Sequence, residues 1–288
     1  MSPRVPSFLA LTALAAIAAC SGGEQQPAAG SPADAAAGSP PEVTIVATDF
    51  AYQAPDTIEG GMVTLKLVNQ GQTYHHVQLV RLLDGKTYGD LVEGLKQMQP
   101  GAPPPPWIEE VVGPNTPDPG GESRLTRELT PGNYALICFI DTPDKVPHVA
   151  KGMTKSLTVV APTGAVAAAP TADVTIQMTD YAWKTTPALT AGKHVIRLEN
   201  LAEQPHEMFI LKLDEGKTKE DLIAWGASLQ GRAPGTAMGG ATGQRKGDVA
   251  YLPVDLAPGK YLLVCFLPDA KDGKLHLEHG MIEELTVS

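Results

Sequence analysis

Pro131-Gly132-Asn133-Tyr134-Ala135-Leu136-Ile137-Cys138-Phe139 and Pro258-Gly259-Lys260-Tyr261-Leu262-Leu263-Val264-Cys265-Phe266 are one stretch written twice. In each, Tyr, Leu and Cys fall at i, i+2 and i+4, so they share one face of a strand. The Pro-Gly turn ahead of each predicts a hairpin. Outward from this stretch the repeat continues. Val43-Thr44-Ile45 matches Val174-Thr175-Ile176, and Thr48-Asp49-Phe50-Ala51-Tyr52 matches Thr179-Asp180-Tyr181-Ala182-Trp183. Asn69 matches Asn200, and Gly85-Lys86-Thr87 matches Gly216-Lys217-Thr218. Two copies are too few for a solenoid. They predict tandem domains over 42–161 and 172–288, joined by an Ala, Pro, Gly and Thr linker at 162–171.

Within each copy, short alternating runs such as Val63, Leu65 and Leu67 against Thr64, Lys66 and Val68 predict strands. Many such strands with turn signals between them predict an all-β fold of two β-sandwiches. One helix per copy interrupts the pattern. Thr87-x-x-Asp90 and Thr218-x-x-Asp221 read as N-caps with an acidic first turn. Leu91, Val92 and Leu95 form the stripe of the first helix, and Leu222, Ile223 and Leu229 that of the second. A Pro-rich segment (Pro100 to Pro106) and a Gly-rich one (Gly231 to Gly247) come after these helices and read as long loops.

The same four residue types recur in the same order in both copies. The first set is His75, Cys138, His148 and Met153, and the second is His206, Cys265, His276 and Met281. Two imidazoles, a thiolate and a weak thioether suit both oxidation states of copper. Taken singly, each residue reads as buried packing. Repeated together, they read as two metal sites. His76, His194 and His279 have no counterpart in the other copy and read as surface or rim residues. Trp107, Trp183 and Trp225 read as packing.

The ends and the composition set the surroundings. Arg4 followed by the apolar run Phe8 to Ala19 reads as a signal peptide over 1–19. It ends Ile17-Ala18-Ala19-Cys20, which resembles a bacterial lipobox, so Cys20 is expected to carry lipid. Residues 20–41 lack large apolar side chains and are expected to form a disordered tether. The implied location is the cell envelope, on the periplasmic or extracytoplasmic side of the membrane, with an outer membrane favoured where one exists. Net charge is −10, which argues against a nucleic-acid partner. It allows a basic redox partner protein to be steered in. Of the three cysteines, Cys138 and Cys265 stand at equivalent positions of separate domains. Disulfide geometry disfavours a bridge between them, and a metal better explains thiols in an oxidising compartment.

Each copy resembles a cupredoxin, the plastocyanin and azurin family. The resemblance rests on Asn69 leading to His75 and Asn200 to His206. It continues with Gly132-x-Tyr134 to Cys138, His148 and Gly152-Met153, and with Gly259-x-Tyr261 to Cys265, His276 and Gly280-Met281. It covers nearly all of 42–160 and 172–288. It implies Greek-key β-sandwiches and one mononuclear type 1-like copper site per copy, used for electron transfer. A Cu(I) carrier or storage protein and a metal-free interaction module are the alternatives. Two departures stand out. Nine residues separate Cys138 from His148 and ten separate Cys265 from His276, more than in plastocyanin. The Asn that often follows the first His and braces the Cys loop is His76 or Glu207 here. The inserted helix and loop are also absent from plastocyanin and are expected to cover the site.

In copper enzymes with two such domains, a His flanks the Cys ligand and joins the centres. Here Ile137 and Phe139 flank Cys138, and Val264 and Phe266 flank Cys265. On that ground the chain is expected not to be an enzyme.

Overall fold

The computed structural model describes residues 38–97 and 104–288. The expected signal peptide, the expected acylation site Cys20 and nearly all of the expected tether lie outside them. The first half runs β1 (Glu42–Thr48), β2 (Ala51–Gln53), β3 (Thr57–Glu59), β4 (Gly61–Asn69), β5 (Gln78–Leu82), α1 (Tyr88–Gln97), β6 (Ile108–Val111), β7 (Glu122–Leu129), β8 (Gly132–Ile137) and β9 (Thr154–Val160). The second half runs β10 (Val174–Thr179), β11 (Ala182–Thr186), β12 (Gly192–Asn200), β13 (His206–Leu213), α2 (Lys219–Ser228), β14 (Gly235–Gln244), β15 (Val249–Leu256), β16 (Gly259–Val264) and β17 (Ile282–Val287). The fold is therefore mostly β, with the one helix per copy that the sequence predicts. Among the described residues, no helix is long and apolar enough to cross a membrane.

Each half is a sandwich. In the first, β2-β1-β4-β7 face β3-β9-β8-β5-β6; in the second, β11-β10-β12-β15 face β14-β13-β16-β17. Alternation decides which side chains meet between the sheets. Val63, Leu65 and Leu67 of β4 are fully buried, while Thr64, Lys66 and Val68 are half-buried. Tyr134 and Leu136 of β8, and Cys138 directly after it, point into this core. Tyr261, Leu263 and Cys265 do the same in the second half.

The opposite face of β8 is also apolar, and the helix explains why. Ala135 and Ile137 pack with Leu91 of α1; Leu262 and Val264 pack with Leu222 of α2. Each helix therefore covers the outer face of the ligand-bearing sheet. The expectation that the helices cover the site is corrected, because that outer face is apolar and needs burying. Both helices start as expected: Thr218 and Asp221 form a reciprocal capping box, and Thr87 and Asp90 exchange the same bonds. The stripe of α2 differs from the reading. Ile223 is exposed, Leu229 is the left-handed C-cap, and Trp225 packs in their place.

The run Gly231 to Gly247, read as a loop, is mostly the strand β14. Its glycines exist because backbones approach closely. A Cβ on Gly240 would lie 1.9 Å from the Met208 carbonyl oxygen, and one on Gly235 would lie 2.3 Å from that of Lys212. Glycine in a strand marks such an approach, and composition conceals the strand. The Pro-rich segment is described only from residue 104 onward. Immediately after it, β6 pairs antiparallel with β5.

The described residues form one compact unit. β7 and β15 meet through Thr126 and Tyr251, joining the two four-stranded sheets into one of eight. Residues 113–118 of the first half run along β14 of the second. Thr242 N–H donates to the Gly113 carbonyl (2.9 Å), Asn115 N–H to that of Gly240 (3.1 Å) and Asp118 N–H to that of Ala237 (3.0 Å).

Candidate metal centre

Each site forms where a mid-chain strand entrance and a C-terminal loop converge. In the first half, His75 lies just before β5, and Cys138 directly follows β8. His148 opens a single 3-10 turn, His148–Lys151, which Gly152 closes at φ 98°. A left-handed residue there returns the chain towards Cys138. Val149 N–H donates to the Cys138 carbonyl (2.8 Å), Cys138 N–H to that of Met153 (3.3 Å) and Met153 N–H to that of His148 (3.0 Å). The second half repeats this, with Gly280 at φ 99° and the corresponding bonds joining Cys265, Leu277, His276 and Met281.

This wiring brings the donors together. His75 Nδ1 lies 3.1 Å from His148 Nδ1, and Cys138 Sγ lies 3.4 Å from His148 Nδ1. His206 Nδ1 lies 3.0 Å from His276 Nδ1, and Cys265 Sγ lies 3.2 Å from His276 Nδ1 and 3.9 Å from His206 Nδ1. All six side chains are buried, both thiols are free, and Met153 and Met281 are buried in the same cores as their cysteines. Three donors spaced this way can each reach one central ion at about 2.0–2.3 Å. Without an ion, a pair of facing Nδ1 atoms shares at most one hydrogen bond. The donor set thus fits a metal, and its thiolate and imidazoles suit copper.

Electrostatics point the same way. Burial depresses the His75 and His206 imidazoles. It takes His148 and His276 to about 4, helped by the neighbouring imidazole. Neutral imidazoles keep the lone pair a metal needs. Burial pushes the Cys138 thiol up to about 11 and Cys265 higher still. A buried thiolate therefore requires a compensating cation.

The outer groups include residues the sequence reading missed. His75 Nε2 lies 2.9 Å from Asp49 Oδ1, and His206 Nε2 lies 3.2 Å from Asp180 Oδ1. A carboxylate on the far nitrogen fixes the tautomer, leaving Nδ1 free to bind. Asp49 and Asp180 stand in the repeated Thr-Asp-aromatic segment, and that recurrence was the available signal. Phe50 and Tyr181, next in the chain, set their rings edge-on to His148 and His276, with centroids 4.9 and 5.7 Å apart.

His76 is no rim residue: its Nε2 accepts a hydrogen bond from Phe139 N–H (3.0 Å). Glu207 Oε1 accepts the equivalent bond from Phe266 N–H (2.9 Å). Different residue types thus do the bracing that sequence alone left in doubt. His194 pairs with Asp173 and His279 with Asp272, both towards solvent. Trp107 packs beside α1, and Trp225 stacks edge-on against Tyr74 of the first half, 5.5 Å away.

The fold is cupredoxin-like, in two copies, each with a buried His/Cys/His group. No family model matches the sequence, and no curated protein matches it. Among solved structures, the chain is similar to reduced auracyanin from the photosynthetic bacterium Roseiflexus castenholzii. That match has 21% identity and a TM-score of 0.29, and covers 43% of this chain and 99% of that one. It is also similar to a multicopper oxidase (17% identity, TM-score 0.24, 86% of this chain and 88% of that one). A third is the copper-containing nitrite reductase from Thermus scotoductus (12% identity, TM-score 0.21, 86% of this chain and 61% of that one). Such likenesses concern fold alone. The expectation that the chain is not an enzyme is corrected: the structures it is similar to include an oxidase and a reductase, and fold alone does not decide activity.

Proposed function

We propose that each half binds one copper ion through His75, Cys138, His148 and Met153, or through His206, Cys265, His276 and Met281, and that the sites pass single electrons. The observation that carries this reading is the convergence, in both halves, of two imidazole nitrogens and a thiol sulfur within 4.8 Å of one another, with the two Nδ1 atoms 3.1 and 3.0 Å apart. Copper there supplies a one-electron couple. The protein's part is to hold the donors in one arrangement whichever oxidation state is present. Phe139 N–H on His76 and Val149 N–H on the Cys138 carbonyl fix the sulfur. Asp49 and Asp180 fix the distant imidazoles. Deprotonation of each thiol accompanies binding, so copper uptake releases protons.

We place the protein at the cell envelope, held to the membrane by lipid on Cys20, where a redox partner protein meets it. The supporting feature is the segment Ile17-Ala18-Ala19-Cys20. Changing Cys20→Ser moves the protein to the soluble fraction if this holds.

The copper test uses the soluble chain without Cys20. Adding Cu(II) produces an intense thiolate-to-copper absorption band that Cys138→Ser combined with Cys265→Ser abolishes. A colourless, copper-free protein overturns the reading. Tight Cu(I) binding without a reversible redox wave replaces electron transfer by copper carriage.

A further inference from the structure

The two halves meet through equivalent residues. Pro114 and Ala241 stand at matching places of the repeat and bridge each other antiparallel. Their neighbours Asn115 and Thr242 match as well, and both are buried. Each reaches into the other half, to the residue two places after that half's first imidazole. The Asn115 amide faces the Met208 carbonyl at 3.4 Å, and the Thr242 hydroxyl faces the Val77 carbonyl at 3.4 Å. This is the pattern of an isologous contact, written within one chain. Each crossing ends beside a strand entrance that carries His75 or His206.

The equivalence stops at the chemistry. An amide carries two N–H donors and a hydroxyl one O–H. Asn115 Nδ2 also donates to Glu207 Oε2 at 3.2 Å and lies 3.3 Å from the Ala241 carbonyl. The Thr242 hydroxyl accepts from Gly113 N–H (2.8 Å), and its single proton is divided between the carbonyls of Gly113 (3.2 Å) and Val77. Asn115 therefore reaches the brace of the second Cys loop, and Thr242 does not reach His76, the brace of the first.

On the first-half side, the Pro114 carbonyl accepts from Val77 N–H (3.0 Å). A continuous bonded route thus joins the two first imidazoles. From His206 it follows the chain to Glu207, crosses to Asn115, follows the chain back to Pro114, crosses to Val77 and ends through His76 at His75. Only the two crossings are not covalent, and both are hydrogen bonds. Branches at the braces lead to the thiols. Glu207 Oε1 accepts from Phe266 N–H, next to Cys265, and His76 Nε2 accepts from Phe139 N–H, next to Cys138. Electronic coupling decays far less through covalent and hydrogen bonds than across van der Waals gaps.

We propose that Asn115 carries the electronic contact between the two His/Cys/His groups, so that an electron arriving at one site passes to the other within the chain. The inference rests on the reading that both groups hold copper and pass single electrons. One electron leaves the reduced site and enters the oxidised one, and no proton or atom changes place. The competing crossing is Thr242, whose way to His206 runs through Gly243 and Gln244, the strand partner of His206.

The test is pulsed reduction of the fully oxidised, copper-loaded chain, with each site's spectrum and potential taken from Cys138→Ser and Cys265→Ser. Transfer between the sites shows as a redistribution phase whose rate is independent of protein concentration and which both single-thiol variants lack. Asn115→Leu removes both donors at similar volume. It is expected to slow that phase severalfold with both spectra and both potentials unchanged. Thr242→Val breaks an equally buried contact of the same interface and is expected to leave the rate alone. A metal-free readout follows the link itself: the Asn115 side-chain amide resonances are expected to shift in Glu207→Gln. An amide has one oxygen, so that variant serves Phe266 N–H at the expense of Asn115, and it carries the rate test if Asn115→Leu misfolds. The proposal is overturned by the absence of a redistribution phase, an unchanged rate in Asn115→Leu, slowing in Thr242→Val instead, or an unmoved amide. A slower phase accompanied by altered spectra or potentials marks Asn115 as structural and overturns it too. A chain that takes up no copper overturns the electron-transfer reading and this one with it, and is told apart by the missing absorption.

Discussion

The two sites share their donors and differ in what surrounds them. Around the first, His76 braces the Cys loop, Thr142 stands in the loop, and Asp144 is paired with Lys151. Around the second, those places hold Glu207, Asp269 and Asp272, the last paired with the imidazole of His279. The duplicated frame thus fixes which donor atoms converge, and substitutions one contact away change the charge around them. The Asp269 carboxylate, held ionised beside His276 where the first half has Thr142, favours the second site's more oxidised, more positively charged state. If both sites hold copper, the second is expected to show the lower reduction potential.

Removing a thiol is the largest change. Cys138→Ser is expected to abolish the absorption of the first site and leave that of the second, and Cys265→Ser the reverse. Copper content by metal analysis should fall by one ion in each. A single cysteine change that bleaches both sites would break the picture of two separate centres. Next come the carboxylates behind the distant imidazoles. Asp49→Asn and Asp180→Asn are expected to weaken copper binding at their own site by roughly 10–100-fold. The first-half variant should suffer more. Asp49 also accepts from Gln72 N–H and from the Thr73 hydroxyl, so losing its charge loosens the loop that carries His75. Competition titrations against a chelator measure both affinities.

The braces should respond to pH in opposite senses. Burial pushes Glu207 up to about 7 from 4.5. Folding therefore favours its protonated form, and stability falls as pH rises through that window, then levels off. Burial takes His76 down to about 3 from 6.5, with His148 and His75 adding to the effect. That imidazole must be neutral in the folded protein, so its contribution is lost as pH falls through its own window. In the metal-free chain, Glu207→Gln is expected to remove a stability loss on the order of 3 kcal/mol between pH 5 and pH 8. Urea unfolding at both values checks it. An unchanged pH slope would mean that Asn115, which donates to Glu207 Oε2 at 3.2 Å, holds the carboxylate ionised.

The frame was legible because its signals are local. Tyr134, Leu136 and Cys138 alternate onto one face, and each ligand type announces its own chemistry. What stayed hidden depends on partners distant in sequence. Asp49 shows in sequence only as part of a repeated segment until the fold carries His75 onto it. His76 and Glu207 do one job with unrelated side chains, so comparing the copies position by position conceals their equivalence. β14 reads as a loop because its glycines answer to the carbonyls of Met208 and Lys212, which composition does not display. The helices stand at the opposite extreme, since their starts are written within four residues.

That last contrast gives the smallest prediction. Thr87 and Thr218 each accept from the backbone N–H of the Asp three residues on, at 3.2 and 3.5 Å, and each Asp accepts the Thr N–H at 2.9 Å. Both caps are exposed, and neither touches the metal groups. Thr87→Ala and Thr218→Ala are therefore expected to cost about 1 kcal/mol each, by thermal or urea unfolding, with copper absorption unchanged. Because the caps are alike where the sites are not, their costs should agree. A cap change that altered the spectrum of its own half would couple α1 or α2 to the ligand strands through Leu91 or Leu222. The helices would then belong to the site's scaffold as well as to the cover over the outer face of each sheet.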